Sequence, residues 1–139
     1  MKRFVECDLA QIFIAEQHPT QVIVLREKGG DRMLPVEIGI FEAIAINRPI
    51  AGEEVIRPLT HDLLVSVIAE MGGKLQRVLV HDIVANPEGG GTFLGALIIE
   101  QNGTTVEVDC RPSDGVALAV RVGCPIAVAE HLLEMRAES

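Results

Sequence analysis

The sequence predicts an α+β fold, in which a mainly antiparallel sheet built from two hairpins carries packed helices. Short runs rich in β-branched residues alternate with tight-turn signals, the strongest of which is Asn102-Gly103. Apolar segments with helical spacing follow several of these runs. The composition is 48% hydrophobic but only 3% aromatic, so the core is aliphatic. At 139 residues the chain is predicted to form one domain, residues 1–139.

The first half of the chain predicts a hairpin, a third strand and a helix. Gly29-Gly30 turns the chain into the third strand, and Pro35 favours an edge position for that strand because proline cannot donate to the ladder. Gly39 opens the corner into the helix. The predicted elements are strands at residues 4–15, 21–26 and 32–38 and a helix from residue 40 to about 47.

A second helix is predicted from Thr60 to Met71, after a loop at residues 48–55. Its apolar positions recur at helical spacing, which predicts one stripe facing the core. Gly72-Gly73 is expected to end this helix. The stripe consists of Leu63, Leu64, Val67, Ile68 and Met71.

The second half repeats the order of the first: hairpin, turn, short strand, corner and helix. Residues 86–91, rich in glycine, form the hairpin tip, because a strand rather than a helix follows them. The repeated order is consistent with an internal duplication of a βββα half of about 70 residues. The predicted elements are strands at 74–85, 92–101, 105–108 and 125–128 and helices after Pro112 and at 130–137.

The net charge of −8 argues against a protein held on nucleic acid by a basic surface. The chain has no Trp or Tyr and four Phe, so a platform for stacking single strands is not expected. An acidic site neutralised by bound cations remains compatible with this charge. Any contact with nucleic acid is therefore expected to be weak and mediated by metal.

The cysteines and the N-terminal residues indicate a cytoplasmic protein without a membrane segment. Cys7, Cys110 and Cys124 are an odd number with no close pair, which favours reduced, buried thiols. Acidic residues appear before any apolar run, so no signal peptide is expected, and no apolar run reaches membrane-spanning length. An aliphatic sheet protein of this size often covers an edge or face by self-association, so a dimer or trimer is predicted.

Polar residues concentrate at the corner where the strand around Val106 meets the next helix. Pro112 ends the strand, Ser113 is predicted as the helix N-cap, and Asp114 places a carboxylate in the first turn, where the helix dipole favours it. Asp109 and Arg111 lie beside them. Such a strand-to-helix corner is a common position for a functional site in proteins of this type.

Two earlier corners have the same character. Glu37 and Glu42 flank the first corner, and Arg57-Pro58 is followed by Thr60, His61 and Asp62 at the second. Carboxylates of this kind suit Mg²⁺ or Mn²⁺, so Asp62, Asp109, Asp114 and Glu42 are candidate metal ligands. His61 is then a candidate general base, and Arg57 or Arg111 a clamp on phosphate oxygens.

A structural interpretation accounts for the same residues, since helix starts use Ser, Thr and Asp without any function. For each residue taken singly this interpretation is the more economical, and both remain open. Cys110 beside Arg111 is a weak candidate nucleophile, because no His or Asn partner is evident in the sequence.

Three segments, VEIGIFEAIAI, RPLTHDLL and DCRPSDGVALAVR, resemble the bifunctional nuclease family in the right order. The resemblance runs from about Arg3 to Leu133. It implies a metal-dependent nuclease, using Mg or Mn, that hydrolyses DNA and RNA with little sequence specificity, with catalytic residues to be sought among Asp62, His61, Asp114, Arg111 and Arg57. Cys110 and Gly115 stand where the family pattern leads us to expect alanine, and Gly115 is expected to weaken the helix start by about 1 kcal/mol.

The alternative is a non-catalytic regulatory module, oligomeric and binding a small anion or a partner protein through its Arg-Pro corners. The negative charge and the missing aromatic platform favour this second hypothesis.

Overall fold

The computed structural model describes residues 2–137, without the side chain of residue 137, and confirms the α+β prediction. Within that range seven strands and four helices follow one another in the predicted order. They are β1 (Phe4–Phe13), β2 (Gln21–Glu27), β3 (Met33–Ile38), α1 (Ile40–Ile50), α2 (Thr60–Glu70), β4 (Gly73–Ala85), β5 (Gly91–Gln101), β6 (Thr104–Cys110), α3 (Pro112–Val122), β7 (Ile126–Ala129) and α4 (Glu130–Ala137).

The strands form one sheet in the order β3-β2-β1-β7-β4-β5-β6. Every neighbouring pair is antiparallel except β4 and β7, which run parallel. The late strand β7 joins two three-stranded meanders, one from each half of the chain. Pro35 lies in the edge strand β3, as its missing N–H predicts, and Asn102-Gly103 form the tight turn between β5 and β6 with positive φ at both residues.

All four helices contribute to a single large core on one face of the sheet. Ala43 and Ile46 of α1 and Leu132 and Leu133 of α4 are buried in it, together with alternate residues of the strands. Helix α3 is the most deeply buried helix, with α1 and α2 packed at its flanks. The core is aliphatic, as the composition predicts.

Helix α2 differs from its prediction. None of its residues is fully buried, and its inward side chains include Val65 and Ile68, which pack against the core. The other members of the predicted stripe are exposed, because the helix lies at the edge of the molecule with apolar residues on two faces rather than one. The exposed members are Leu63, Leu64, Val67 and Met71.

The predicted N-cap of α3 is wrong. Helix α3 begins at Pro112 with Arg111 as its N-cap, so Ser113 lies inside the first turn and makes no capping bond. Helix α2 begins at Thr60 with Leu59 as its N-cap. There Asp62 Oδ2 accepts a hydrogen bond from the Leu59 amide at 2.9 Å, which satisfies one of the free donors of the helix start.

Close packing explains why position 115 is a glycine, which the sequence alone does not reveal. A Cβ atom at this position would lie 2.5 Å from Val78 Cγ1 and 3.3 Å from Cys110 Sγ. Helix α3 therefore approaches β4 closely, and the glycine allows this approach. Alanine was expected at both Cys110 and Gly115, and these two positions are neighbours in the structure. The smaller residue, Gly115 on α3, faces the larger one, Cys110 on β6.

Each half of the chain contains a three-stranded meander followed by a helix, and the internal duplication itself stays a prediction.

No helix within residues 2–137 is both long enough and apolar enough to cross a bilayer.

Candidate functional site

The three polar corners meet at one end of the helical layer. The β3–α1 corner, the start of α2 and the β6–α3 corner each place a side chain in one hydrogen-bonded network. They converge because α1 and α2 both pack against α3, which aligns the first turns of the helices. The network consists of Glu42, His61, Arg111 and Asp114.

Asp114 is the centre of the network. Its Oδ2 accepts a hydrogen bond from Arg111 Nε at 2.8 Å, and its Oδ1 accepts one from Arg111 Nη2 at 3.1 Å. His61 Nε2 lies 2.9 Å from the same Oδ1 atom. Arg111 also donates through Nη1 to Glu42 Oε2 at 3.0 Å. One guanidinium thus joins carboxylates from α1 and α3.

The electrostatics of the network keep Asp114 ionised. Burial acts to raise the pKa of Asp114, but the hydrogen bonds from Arg111 and His61 outweigh it, and the pKa is lowered. The hydrogen bond to Asp114 also raises the pKa of Arg111. At neutral pH the network therefore contains an ionised carboxylate bound to a permanent cation.

The ionised state of Asp114 determines the proton on His61. A carboxylate can only accept, so His61 Nε2 carries the proton when the ring is neutral, and Nδ1 keeps its lone pair. Nδ1 has no hydrogen-bond partner among residues 2–137. His61 is thus a base that a carboxylate orients, with one nitrogen available for a proton.

Asp62 belongs to a second, neighbouring pair. Its Oδ1 accepts a hydrogen bond from Arg121 Nε at 2.8 Å. Arg121 is 8% exposed and also donates to the carbonyl oxygens of Ala45 and Ala117. Hydrogen bonds from Arg121, and from the Leu59 amide, lower the pKa of Asp62. This pair ties α1, α2 and α3 together beside the site.

Sequence reasoning did not select Arg121, although a signal was present. Arg121 follows Asp114 by seven residues, which places both on the same face of α3. That face also carries the residues that meet the starts of α1 and α2. Helical spacing alone could therefore have added Arg121 to the polar cluster.

The structure does not bring Arg57, Asp109 or Glu37 into the network. Arg57 is exposed in the loop before α2 and makes no ion pair within residues 2–137. Asp109 is exposed on β6 opposite Ala96, and it points away from the face that Cys110 presents to α3 because side chains alternate along a strand. Glu37 is exposed on the edge strand β3.

Within the described residues the carboxylates of the site are paired with arginines rather than grouped around a common position. Within residues 2–137 no three His, Cys, Asp or Glu side chains are grouped to hold a metal ion. Asp114 and Glu42 share Arg111, and Asp62 binds Arg121, so guanidinium groups take the positions beside these carboxylates. Asp62, Asp109, Asp114 and Glu42 therefore do not form the predicted ligand set in this arrangement.

Cys110 lies next to the network but is not activated by it. Burial raises the pKa of the Cys110 thiol to about 12, and the nearby charges of Asp114 and Asp109 act in the same direction. The thiolate, which is the nucleophilic form, is therefore scarce at neutral pH. The structure gives the nucleophile hypothesis no support.

Similar proteins are found among mycobacteria and plants. An uncharacterised protein of Mycobacterium tuberculosis is 42% identical over 128 residues, which are 92% of this chain and 73% of that protein. Bifunctional nuclease 2 of Oryza sativa subsp. japonica is 27% identical over 120 residues, 86% of this chain and 36% of that protein. A bifunctional nuclease of Oryza minuta is 24% identical with the same coverage. The chain thus spans little more than a third of these rice proteins.

A model of the bifunctional nuclease domain matches residues 23–139. The match contains β3, all four helices and every residue of the polar network. It agrees with the resemblance carried by the three corner segments. The chain belongs to the bifunctional nuclease domain family.

Proposed function

We propose that this protein hydrolyses phosphodiester bonds of DNA and RNA with little sequence preference. The observation that carries the proposal is the joining of His61, Asp114 and Arg111 in one partly exposed network at the convergence of three corners. Membership of the family and the names of the rice relatives support the same chemistry. The net charge of −8 and the absence of Trp and Tyr favour the non-catalytic alternative, so the nuclease proposal requires only weak contact with the nucleic acid.

His61 is the proposed general base. DNA lacks a 2′-hydroxyl, so an enzyme that cleaves both polymers by one mechanism cannot use that group, and water is the proposed nucleophile. The Nδ1 lone pair of His61 takes a proton as the water oxygen attacks phosphorus, the bond from phosphorus to the leaving oxygen breaks, and the leaving oxygen takes a proton from solvent. Asp114 holds the ring in the required tautomer and stabilises the imidazolium that forms.

Arg111 is the proposed contact for the phosphate. A guanidinium has five N–H donors, and three are used on Asp114 and Glu42, which leaves two for phosphate oxygens. The side chain is 62% exposed, so a strand can reach it. A planar cation at this position stabilises charge that develops on the phosphate oxygens.

A requirement for Mg²⁺ or Mn²⁺ stays part of the proposal on the strength of the family resemblance alone. The roles proposed for His61, Asp114 and Arg111 involve no metal ion, because the carboxylates of the network are bound to arginine. Assays with Mg²⁺, with Mn²⁺ and with chelator separate the metal requirement from the roles of these residues.

The first experiment measures cleavage of single- and double-stranded DNA and RNA by the purified wild type, His61→Asn and Asp114→Asn. Removal of the general base is expected to lower the rate about 100-fold or more. His18→Asn and Asp31→Asn are matched controls, since both residues lie in exposed turns away from the network. Circular dichroism of each variant verifies that it is folded.

Loss of cleavage in both site variants, with both controls active, supports the proposal. Equal cleavage by wild type and His61→Asn contradicts the role of His61. No cleavage by the wild type under any metal condition contradicts the nuclease proposal and favours the non-catalytic anion-binding module, since Arg111 keeps two free donors in either case.

We also propose that the protein self-associates as a dimer or trimer through an apolar α2 surface. This surface consists of Ile56, Leu59, Leu63, Leu64, Val67 and Met71, all exposed, with Ile56 at 99%. Their exposed fractions correspond to on the order of 600 Å² of apolar area, close to the roughly 800 Å² that each partner gives to a stable interface. Lone exposed apolar residues need no explanation, but three on α2 and three more in the segments that flank it do.

The edge strand β6 extends the same surface. Gln101 Nε2 donates to the Met71 carbonyl at 2.7 Å, which places the end of α2 beside the β5–β6 turn. Val106 and Val108 are exposed and lie on the same face of β6 as Cys110, the face that carries the helices. A second copy would cover both the helix and this uncovered part of the sheet.

A further inference from the structure

A cavity of about 800 Å³ opens beside the polar network. Its walls come from the edge strand β3, the far end of the β4–β5 hairpin, the first turn of α3, and α4. Arg111 belongs both to the cavity wall and to the network. The space is therefore continuous with the candidate active site.

The inner end of the cavity contains free donors at the start of α3. Ser113 lines the cavity, is 5% exposed, and its hydroxyl has no hydrogen-bond partner in the described part of the chain. The backbone amides of Ser113 and Asp114 likewise find no acceptor there, as expected in the first turn of a helix. The hydroxyl of Ser113, the free amides of the first turn and Arg111 together form a cradle for an anion.

The opposite wall of the cavity is apolar. Ile83, Phe93 and Leu132 line it, and Phe93 is only partly buried. Asn86 and Thr92 at the hairpin tip supply polar groups at the rim, where they hydrogen-bond each other at 2.7 Å. A largely apolar chamber with a few polar groups at one end suits a flat, partly polar ligand such as a nucleobase.

We propose that this cavity binds one nucleotide of the substrate strand, with its phosphate against Arg111 and Ser113 and its base against Phe93. The inference rests on the proposed nuclease function, which it extends by placing the nucleotide next to the bond that is cut. Arg111 lines the cavity and is joined through Asp114 to His61, so a phosphate bound at the cradle lies beside the proposed catalytic network.

The charges around the cradle predict modest affinity that depends on salt. Arg111, Arg136 in the cavity wall and the dipole of α3 favour an anion, whereas Glu42 and Asp114 beside Arg111, and Glu37 in the cavity wall, oppose it. Base contact is then needed to hold the nucleotide. Adenosine 5′-monophosphate is expected to bind at least 10-fold more tightly than inorganic phosphate or adenosine alone.

The test is an NMR titration of the ¹⁵N-labelled protein with adenosine 5′-monophosphate, with inorganic phosphate and with adenosine. The nucleotide is expected to shift the amides of Ser113, Asp114 and Phe93, whereas phosphate alone shifts only those of Ser113 and Asp114. Ser113→Ala is expected to weaken nucleotide binding about 3- to 10-fold. Phe93→Ala is expected to weaken it about 10-fold, and Phe93→Leu serves if the alanine variant does not fold.

Matched controls are Ser66→Ala, on the exposed side of α2, and Phe13→Ala, at the exposed end of β1. Wild-type affinity in the controls, with weaker binding in the cavity variants, supports the proposal. Shifts scattered away from the cavity, no shifts at all, or equal affinity in cavity and control variants would overturn it.

The cleavage assay keeps this inference distinct from the nuclease proposal. If the wild type cleaves and the Ser113 and Phe93 variants cleave with unchanged KM, the cavity proposal fails and the nuclease proposal stands. If the nucleotide binds as expected and the wild type does not cleave, the nuclease proposal fails and the cavity is a nucleotide-binding site.

Discussion

At the scale of single residues, Arg111 decides how the site is held together. Its guanidinium forms a fork with two bonds to Asp114 and a third bond to Glu42. A lysine has the same charge but presents a single nitrogen, which cannot reproduce the paired geometry. The shape of the cation, and not only its charge, therefore positions the carboxylate that orients His61.

Arg111→Lys is accordingly expected to lower kcat at least 10-fold with a smaller change in KM, because Asp114 and His61 lose their orientation. Steady-state cleavage of a fluorescent oligonucleotide gives both parameters. Arg26→Lys, at an exposed position of β2, is the control and should cleave as the wild type does. A rate for Arg111→Lys equal to that of this control would refute the role of the fork.

The Asp62–Arg121 pair is predicted to make stability depend on pH. Arg121 lowers the pKa of Asp62, so the pair contributes its full stability above the unfolded pKa of about 3.9 and loses it as the pH falls through the folded pKa. Asp62→Asn should therefore lower the free energy of unfolding by about 1–3 kcal/mol at pH 7.

Urea denaturation at pH values from 7 to 3 measures this dependence. The difference between wild type and Asp62→Asn is expected to shrink below about pH 4, because there Asp62 becomes protonated in the unfolded chain while its folded pKa lies lower. Asp31→Asn, at an exposed turn, should show no comparable trend. A difference that stays constant down to pH 3 would contradict the electrostatic explanation.

Gly115→Ala is predicted to destabilise the protein although alanine favours helices. The gain in helix propensity is about 1 kcal/mol, but the added Cβ would lie 2.5 Å from Val78 Cγ1 in a fully buried position. Overpacking of this kind costs about 1–3 kcal/mol, so the net effect is a loss. Thermal unfolding followed by circular dichroism measures it.

The double variant Val78→Ala with Gly115→Ala is the informative comparison. Removing the methyl groups of Val78 makes room for the new Cβ, so Gly115→Ala should cost less in the Val78→Ala background than in the wild type. Equal costs in the two backgrounds would mean that the close approach of α3 to β4 does not explain the glycine.

At the scale of elements, helix α2 contributes to two different surfaces of the molecule. Its inner side holds His61 and Asp62 in the polar cluster, while its outer side presents apolar residues to solvent. A helix that is apolar on both sides is normally covered on both. Helix α2, which carries the proposed general base, is therefore also the element through which a second copy is expected to bind.

Leu63→Asp is expected to shift the protein to the monomer, because it places a charge in the centre of the apolar α2 surface. Leu63 is already 56% exposed, so the substitution should cost the monomer little stability. Size-exclusion chromatography with light scattering at micromolar concentration measures the mass. Gln17→Asp, in the exposed β1–β2 turn, is the control and should keep the mass of the wild type.

A wild type that is monomeric in the same experiment would contradict the self-association proposal. An unchanged oligomer in Leu63→Asp would show that another surface is used.

At the scale of the whole molecule, the two halves of the chain are bound into one core. Strand β7, from the end of the sequence, pairs with β1 on one side and with β4 on the other. The sheet curls, so that β3 and the far end of the β4–β5 hairpin line the same cavity. Neither half therefore encloses the cavity or completes the sheet by itself.

This architecture predicts a single cooperative unfolding transition. Cys7 is 3% exposed and burial raises the pKa of its thiol to about 11, so this thiol is expected to react only on global opening. The free energy of unfolding from labelling of Cys7 by a disulfide reagent should equal the value from circular dichroism. A lower value from labelling of Cys7 would indicate that the first half opens separately.

The sequence by itself determined the class of fold and the order of its elements. Strands and helices are local features, since alternation, helical spacing and turn residues such as Asn102-Gly103 act over a few positions. The sequence also determined which polar residues lie at the three corners where the helices begin. These corners carry Glu42, His61 and Asp114. The structure confirms these predictions. They could be made from the sequence because each depends only on residues close together in the chain.

Only the tertiary structure decided which of those residues meet and what they bind. It paired His61 with Asp114 and Asp62 with Arg121, left Asp109 outside, and exposed the predicted stripe of α2. Periodicity cannot say whether an apolar face is covered by the same chain or by another, nor which cation neutralises a carboxylate. Both depend on contacts between residues distant in sequence, which the order of strands in the sheet and the packing of helices create.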